Sequence, residues 1–128
     1  MKQTIWGKFI PVEPRPANIS LSKSISATEQ RQLIQSYLPG LPKPLSGETR
    51  FGVKIAFYIN GNKSKRHPKT DLDNLIKGLI DNVTGFFWID DSQIDEIQAK
   101  ITRQASKAGI NLKVYKIEQN KRAIAVKQ

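Results

Sequence analysis

The sequence predicts a small α+β domain, a mixed β-sheet with helices packed on it, in the order β-α-β-α-β-β. Three observations carry this reading. Residues 51–59 alternate apolar and polar side chains with a period of two. Residues 72–83 instead repeat their apolar side chains at helical spacing. The 128 residues, 38% of them hydrophobic, suit one domain (residues 1–128) with a modest core and no long linker.

Taken in order, residues 4–10 alternate loosely and read as a first strand, ended by Pro11, Pro14 and Pro16. A Ser-rich loop runs to Ser26. Ser26 or Thr28 is placed to cap a helix through Leu38, with Leu33, Ile34 and Leu38 on one face. Pro39-Gly40 stops it, and residues 41–48 form a turn-rich connector. In the strand at 51–59, Val53, Ile55, Phe57 and Ile59 oppose Lys54, Ala56 and Tyr58. The loop at 60–70 is too basic to bury.

The strongest helix follows. Leu72, Leu75, Ile76, Leu79, Ile80 and Val83 make a continuous stripe, Asp71 or Asp73 can cap it, and Gly85 closes it. After the aromatic run Phe86-Phe87-Trp88, residues 93–103 read as a strand, although the alternation at Ile94, Ile97, Ala99 and Ile101 is imperfect. Ala108-Gly109 is a turn into a last strand at 110–117 carrying Leu112, Val114 and Ile117. A basic tail, about residues 120–128, is expected to fray.

The composition excludes several function classes. Without cysteine there is no disulfide framework, thiolate metal site or cysteine nucleophile, which suits a reducing, cytoplasmic setting. The N-terminus lacks an apolar core of secretory length, and the apolar runs are far shorter than the ~20 residues that span a bilayer. The expectation is a soluble protein without a membrane partner. The formal charge is +10, from 21 Lys and Arg against 11 Asp and Glu. Such a surplus favours polyanionic partners, nucleic acid above all; the plainer reading is a basic surface with no dedicated partner.

The acids are not evenly spread. Seven of the 11 (Asp71, Asp73, Asp81, Asp90, Asp91, Asp95 and Glu96) fall within residues 71–96. A basic loop with Lys63, Lys65, Arg66 and Lys69 stands immediately before them, a phosphate clamp or a solvated loop. Asp73, Lys77 and Asp81 share a stripe at i, i+4 spacing, whereas a helical Asp71 would point roughly 200° from Asp73. The two converge only if Asp71 is extended, at or before the cap. Asp90 and Asp91 leave the far end of the helix and can return beside its start if the next strand runs antiparallel to it.

Gathered carboxylates of this kind make a hard oxygen site for Mg²⁺, with Mn²⁺ as a substitute. Two such ions about 4 Å apart suit phosphodiester hydrolysis, and Lys77 could orient the attacking water or stabilise charge on the phosphoryl oxygens. The bland alternative is a helix cap, a solvated i, i+4 ladder and a common Asp-Asp turn. Trp6 is a core or dimer-contact residue, and Phe86 to Trp88 close the helix end or wedge between bases. The single histidine, His67, reads as a surface group.

The segment Asp71-Leu-Asp-Asn-Leu-Ile-Lys77, then Asp81, then Gly85-Phe-Phe-Trp-Ile-Asp-Asp-Ser-Gln93, resembles the signature of the RusA family of crossover-junction endodeoxyribonucleases. The proline-rich end of the first strand and the element order are also similar. His67-Pro-Lys-Thr70 departs from the more arginine- or proline-rich family pattern. The resemblance implies a RusA-like fold and a homodimer, encoded by a bacterium or phage. It implies that this dimer binds four-way (Holliday) junctions and makes paired nicks with Mg²⁺, in recombination and repair. It matches the catalytic, metal-holding aspartates to Asp71, Asp73 and Asp91, an accessory acid to Asp90 and a supporting lysine to Lys77. The rival expectations are a non-catalytic nucleic-acid-binding protein, or a metal-dependent nuclease acting on other branched DNA or RNA.

Overall fold

The computed structural model describes residues 2–14, 27–39, 44–60 and 71–118. The elements follow the expected order: β1 (Lys2–Ile10), α1 (Ala27–Gln35), β2 (Arg50–Asn60), α2 (Leu72–Val83), β3 (Ile94–Ala105) and β4 (Gly109–Ile117). One 3-10 turn, Asp91–Gln93, precedes β3. The strands form a single mixed sheet in the order β1-β4-β2-β3, so the fold is α+β. Strand β4 is antiparallel to both neighbours, whereas β3 is parallel to β2. A parallel pair needs a crossover connection, and α2 lies within it.

The alternation in β2 is realised side by side. Phe51, Val53, Ile55, Phe57 and Ile59 are buried beneath the helices, and Val114, Leu112 and Ile110 stand opposite three of them on β4. Leu75, Leu79, Ile80 and Val83 supply the inner stripe of α2, while Ile34 and Leu38 anchor the α1 segment. Leu33 does not join them. It is 44% exposed, because Ile34 and Leu38 define the inner face at i, i+4 and Leu33 is turned about 100° from Ile34. The next inner position one turn back is Gln30, which is buried and donates its side-chain amide to the Glu13 carbonyl.

Helix α2 runs antiparallel to β2. Leu75, near its start, and Leu79 share a crevice with Phe57, at the far end of β2, and with Ile110 opposite it on β4. Beyond its C-terminus, Trp88 meets Phe51, at the near end of β2, edge-on at 5.7 Å. Gly85 takes φ +101°, a left-handed conformation that glycine adopts without a Cβ penalty, and the chain turns there. The Trp88 indole donates to Thr84 Oγ1 at 2.9 Å, satisfying its polar group inside the core. Phe87 and Trp88 are therefore helix-end packing rather than base wedges. Trp6 is a core-packing residue too, 5.4 Å from Phe87.

The imperfect alternation in β3 has a local cause. Phe51 pairs with Ile94 but Gly52 with Glu96, so Asp95 is an extra residue, a bulge. Past it the period resumes, with Ile97, Ala99 and Ile101 opposite Val53, Ile55 and Phe57. Ile97 remains 45% exposed because β3 is the last strand of the sheet. Among the described residues, no helix is long and apolar enough to cross a membrane.

Trp88 is fully buried between α2 and β2. Trp88→Ala should lower the unfolding free energy by about 3–5 kcal/mol, read from urea titrations against wild type.

Candidate active site

The start of α2 holds the first two acids. Asp71 is the N-cap residue with extended φ −92° and ψ 139°, and its carbonyl accepts the Leu75 N–H at 3.2 Å. Its side chain makes no capping hydrogen bond to the helix backbone; Asn74 Nδ2 donates to Asp71 Oδ2 at 3.4 Å. Asp73 sits in the first turn. Both carboxylates are exposed at the positive end of the helix dipole. Asp71 outside the helix and Asp73 on it is the arrangement that their spacing required.

Lys77 and Asp81 continue the exposed stripe. The ladder of ion pairs that i, i+4 spacing permits is absent. Ion pairs form instead between Lys2 and Glu96 and between Arg50 and Asp95, and neither includes Lys77.

Asp90 and Asp91 lie beyond the other end of α2. Asp90 is the N-cap of the 3-10 turn, and its Oδ2 accepts the Ser92 N–H at 2.9 Å. Hydrogen bonds from Ser92 hold the Asp90 carboxyl below the usual aspartate range. Gln93 completes a capping box and locks this corner. It is 3% exposed, accepts from the Ile89 and Asp90 N–H groups at 2.8 and 3.2 Å, and donates to Ser46 O and Thr49 O at 2.9 and 3.0 Å. Sequence reasoning missed this residue, although the spacing Asp90-x-x-Gln93 is the capping-box signal.

The remaining acids of the cluster are engaged structurally. Arg50 grips Asp95 through Nε at 3.0 Å and through Nη2, and Nη2 also donates to Ser92 O at 2.7 Å. The hydrogen bonds from Arg50 keep the Asp95 carboxyl low. Glu96 pairs with Lys2 at 2.9 Å and accepts the Tyr115 hydroxyl at 2.7 Å, and these contacts lower its pKa in the same way. Tyr115 is shifted up, chiefly by burial and then by its bond to Glu96. The acids left exposed and outside these pairs are Asp71, Asp73, Asp81 and Asp91, with Asp90 committed on one oxygen.

The first two and the last of these do not meet within one chain. Asp71 and Asp73 stand at the start of α2, and Asp91 stands past its end, about 18 Å along a 12-residue helix. Strand β3 does run antiparallel to α2, but Asp90 and Asp91 precede it, so its far end, not the acid pair, returns toward the helix start. Accordingly, among the described residues no three Asp, Glu or His side chains are grouped to hold a metal ion. Lys63, Lys65, Arg66, His67 and Lys69 lie outside the described residues, just ahead of Asp71.

A family model described as endodeoxyribonuclease RusA matches residues 22–115, a span that includes α1, α2 and every acid discussed above. No curated protein matches the chain.

Gln93→Leu removes the partner of two carbonyls and two N–H groups at this part-buried corner, and should cost about 1–3 kcal/mol in urea denaturation. The stability that Asp90 adds is complete above its ordinary titration range and is lost as pH falls from about 4 through its lowered pKa. Asp90→Asn should therefore flatten the acid limb of the stability–pH curve; an unchanged limb would show that the cap carries no charge-dependent stability.

Proposed function

The chain belongs to the RusA family of endodeoxyribonucleases, and from that premise we propose that it is a Mg²⁺-dependent nuclease resolving four-way DNA junctions in recombination and repair. The observation that carries the reading is the pair Asp71 and Asp73. Two exposed carboxylates outside any ion pair, at the mouth of a helix in a chain of net charge +10, are poised for a cation. An all-oxygen donor set without cysteine suits Mg²⁺, or Mn²⁺ in its place. Asp71, Asp73 and Asp91 would hold it, with the second oxygen of Asp90 as an accessory. When bound, it would supply Lewis-acid activation of water and stabilisation of the leaving oxygen.

The chain's own side chains do the rest. Lys77, one turn along from Asp73, is the ammonium placed to neutralise charge building on the phosphoryl oxygens. Lys63, Lys65, Arg66 and Lys69, adjoining Asp71 in sequence, clamp the flanking phosphates. Because α2 separates Asp91 from the Asp71–Asp73 pair, a site with all three acids draws Asp91 from a second copy of the chain. A two-fold homodimer then carries two equivalent sites, as paired nicks across a roughly symmetric junction require.

Asp71→Asn should cut Mg²⁺-dependent nicking of four-way junctions by at least about 100-fold while leaving junction binding intact. Junction, flap, duplex and RNA substrates compared side by side test the specificity; equal cutting of all four, or none of the junction, refutes it. Mixing Asp71→Asn with Asp91→Asn chains tests the shared site. Half of randomly assorted dimers then carry one intact site, so nicking should recover to about a quarter of wild type. No recovery would place all three acids in one chain.

A further inference from the structure

Both described helices cover the same face of the sheet, and the opposite face carries Lys54, Lys100 and Lys113. We propose that this open face is a second DNA-binding surface, in which Lys54, Lys100 and Lys113 hold the phosphodiester backbone of a DNA arm. The proposal rests on the reading that the protein acts on DNA, and it concerns residues other than the acid pair.

Register defines the surface. Lys54 on β2 stands directly opposite Lys113 on β4, and Ala56, one step along the same face, stands between Asn111 and Lys100. All three lysines are exposed. The small Ala56 side chain leaves a trough of about 430 Å³, lined among others by Lys54, Tyr58, Lys100, Asn111 and Lys113. Like charges directly opposite on neighbouring strands destabilise a sheet, so the Lys54–Lys113 pair is a cost to the free protein. An anion laid across it removes that cost.

No acid of the protein serves as that anion among the described residues. The four strands contain two carboxylates, Asp95 and Glu96. Asp95 is held by Arg50, and Glu96 by Lys2 and Tyr115. The ion pairs of the described residues include none of the three lysines. A second copy of the chain is a poor occupant, because its own lysines would face these at close range. A repeating polyanion suits them: the lysines span three strands, about 10 Å of sheet width, and the surrounding Asn111, Gln98 and Thr102 are polar. A chain that belongs to an endodeoxyribonuclease family makes the DNA backbone that polyanion.

The test uses the full-length chain with Asp71→Asn, so that binding is read without cleavage. Junction affinity is measured between 50 and 200 mM salt, with and without Lys54→Gln, Lys100→Gln and Lys113→Gln together. Each backbone contact contributes about 0.9 to the slope of log affinity against log salt, so the triple variant should lose about 2.7, and each single variant about 0.9. The loss should be the same on duplexes of different sequence, and the melting temperature should not fall, since a like-charge pair has been removed. Lys8→Gln, Lys107→Gln and Lys116→Gln remove the same charge outside the trough and should move the slope less. Junction binding with an unchanged slope in the triple and single variants overturns the open-face site and leaves the nuclease reading standing. A parent chain that binds RNA but neither junction nor duplex DNA overturns both.

Discussion

Parallel pairing of β2 with β3 obliges the chain to travel back along the length of the sheet between them. Helix α2 occupies that return, antiparallel to β2, and most of the molecule's layout follows. Its apolar stripe roofs one face of the sheet, and among the described residues no helix covers the other. Its first turn displays Asp71 and Asp73 at one end, and the corner after Gly85 carries Asp90 and Asp91 at the other. The two acid pairs thus stand at opposite ends of the helix, despite their closeness in sequence.

Local ion chemistry sorts a cluster that looks uniform in the sequence. Asp95 and Glu96 are answered by Arg50 and Lys2, both contributed by strands, and they help join distant parts of the sheet. These pairs are partly exposed, so they define geometry more than they add stability. Asp90 is half committed through its cap. The acids that remain unanswered lie along α2 and at its two ends.

Much of the fold was legible because two elements have clean periods. The stripe of α2 and the alternation of β2 depend only on side-chain type, and both proved to be the buried faces. The extended Asp71 was also legible, since helical geometry alone forbids it from sharing a face with Asp73. Other features depend on partners that sequence spacing does not report. The bulge at Asp95 shifts the phase of β3, which is visible only once Gly52 is seen opposite Glu96. Leu33 lost its inner place to Gln30 because a short helix buries a narrow stripe, and a backbone carbonyl at Glu13 was waiting for the amide. The far placement of Asp91 is a matter of topology, which no local pattern encodes. The lysine row on the open face needed cross-strand register to become a row at all.

The bulge has one more consequence, for behaviour at high concentration. Strand β3 is 12 residues long and ends the sheet, so its outer backbone groups offer a template for another strand. With Asp95 inserted, that edge is kinked and twisted near its start, and an incoming strand meets a ladder broken in register. Lys100 and Arg103 add charge farther along. The irregularity that blurs the strand's pattern in the sequence also makes its edge a poor seed for fibres.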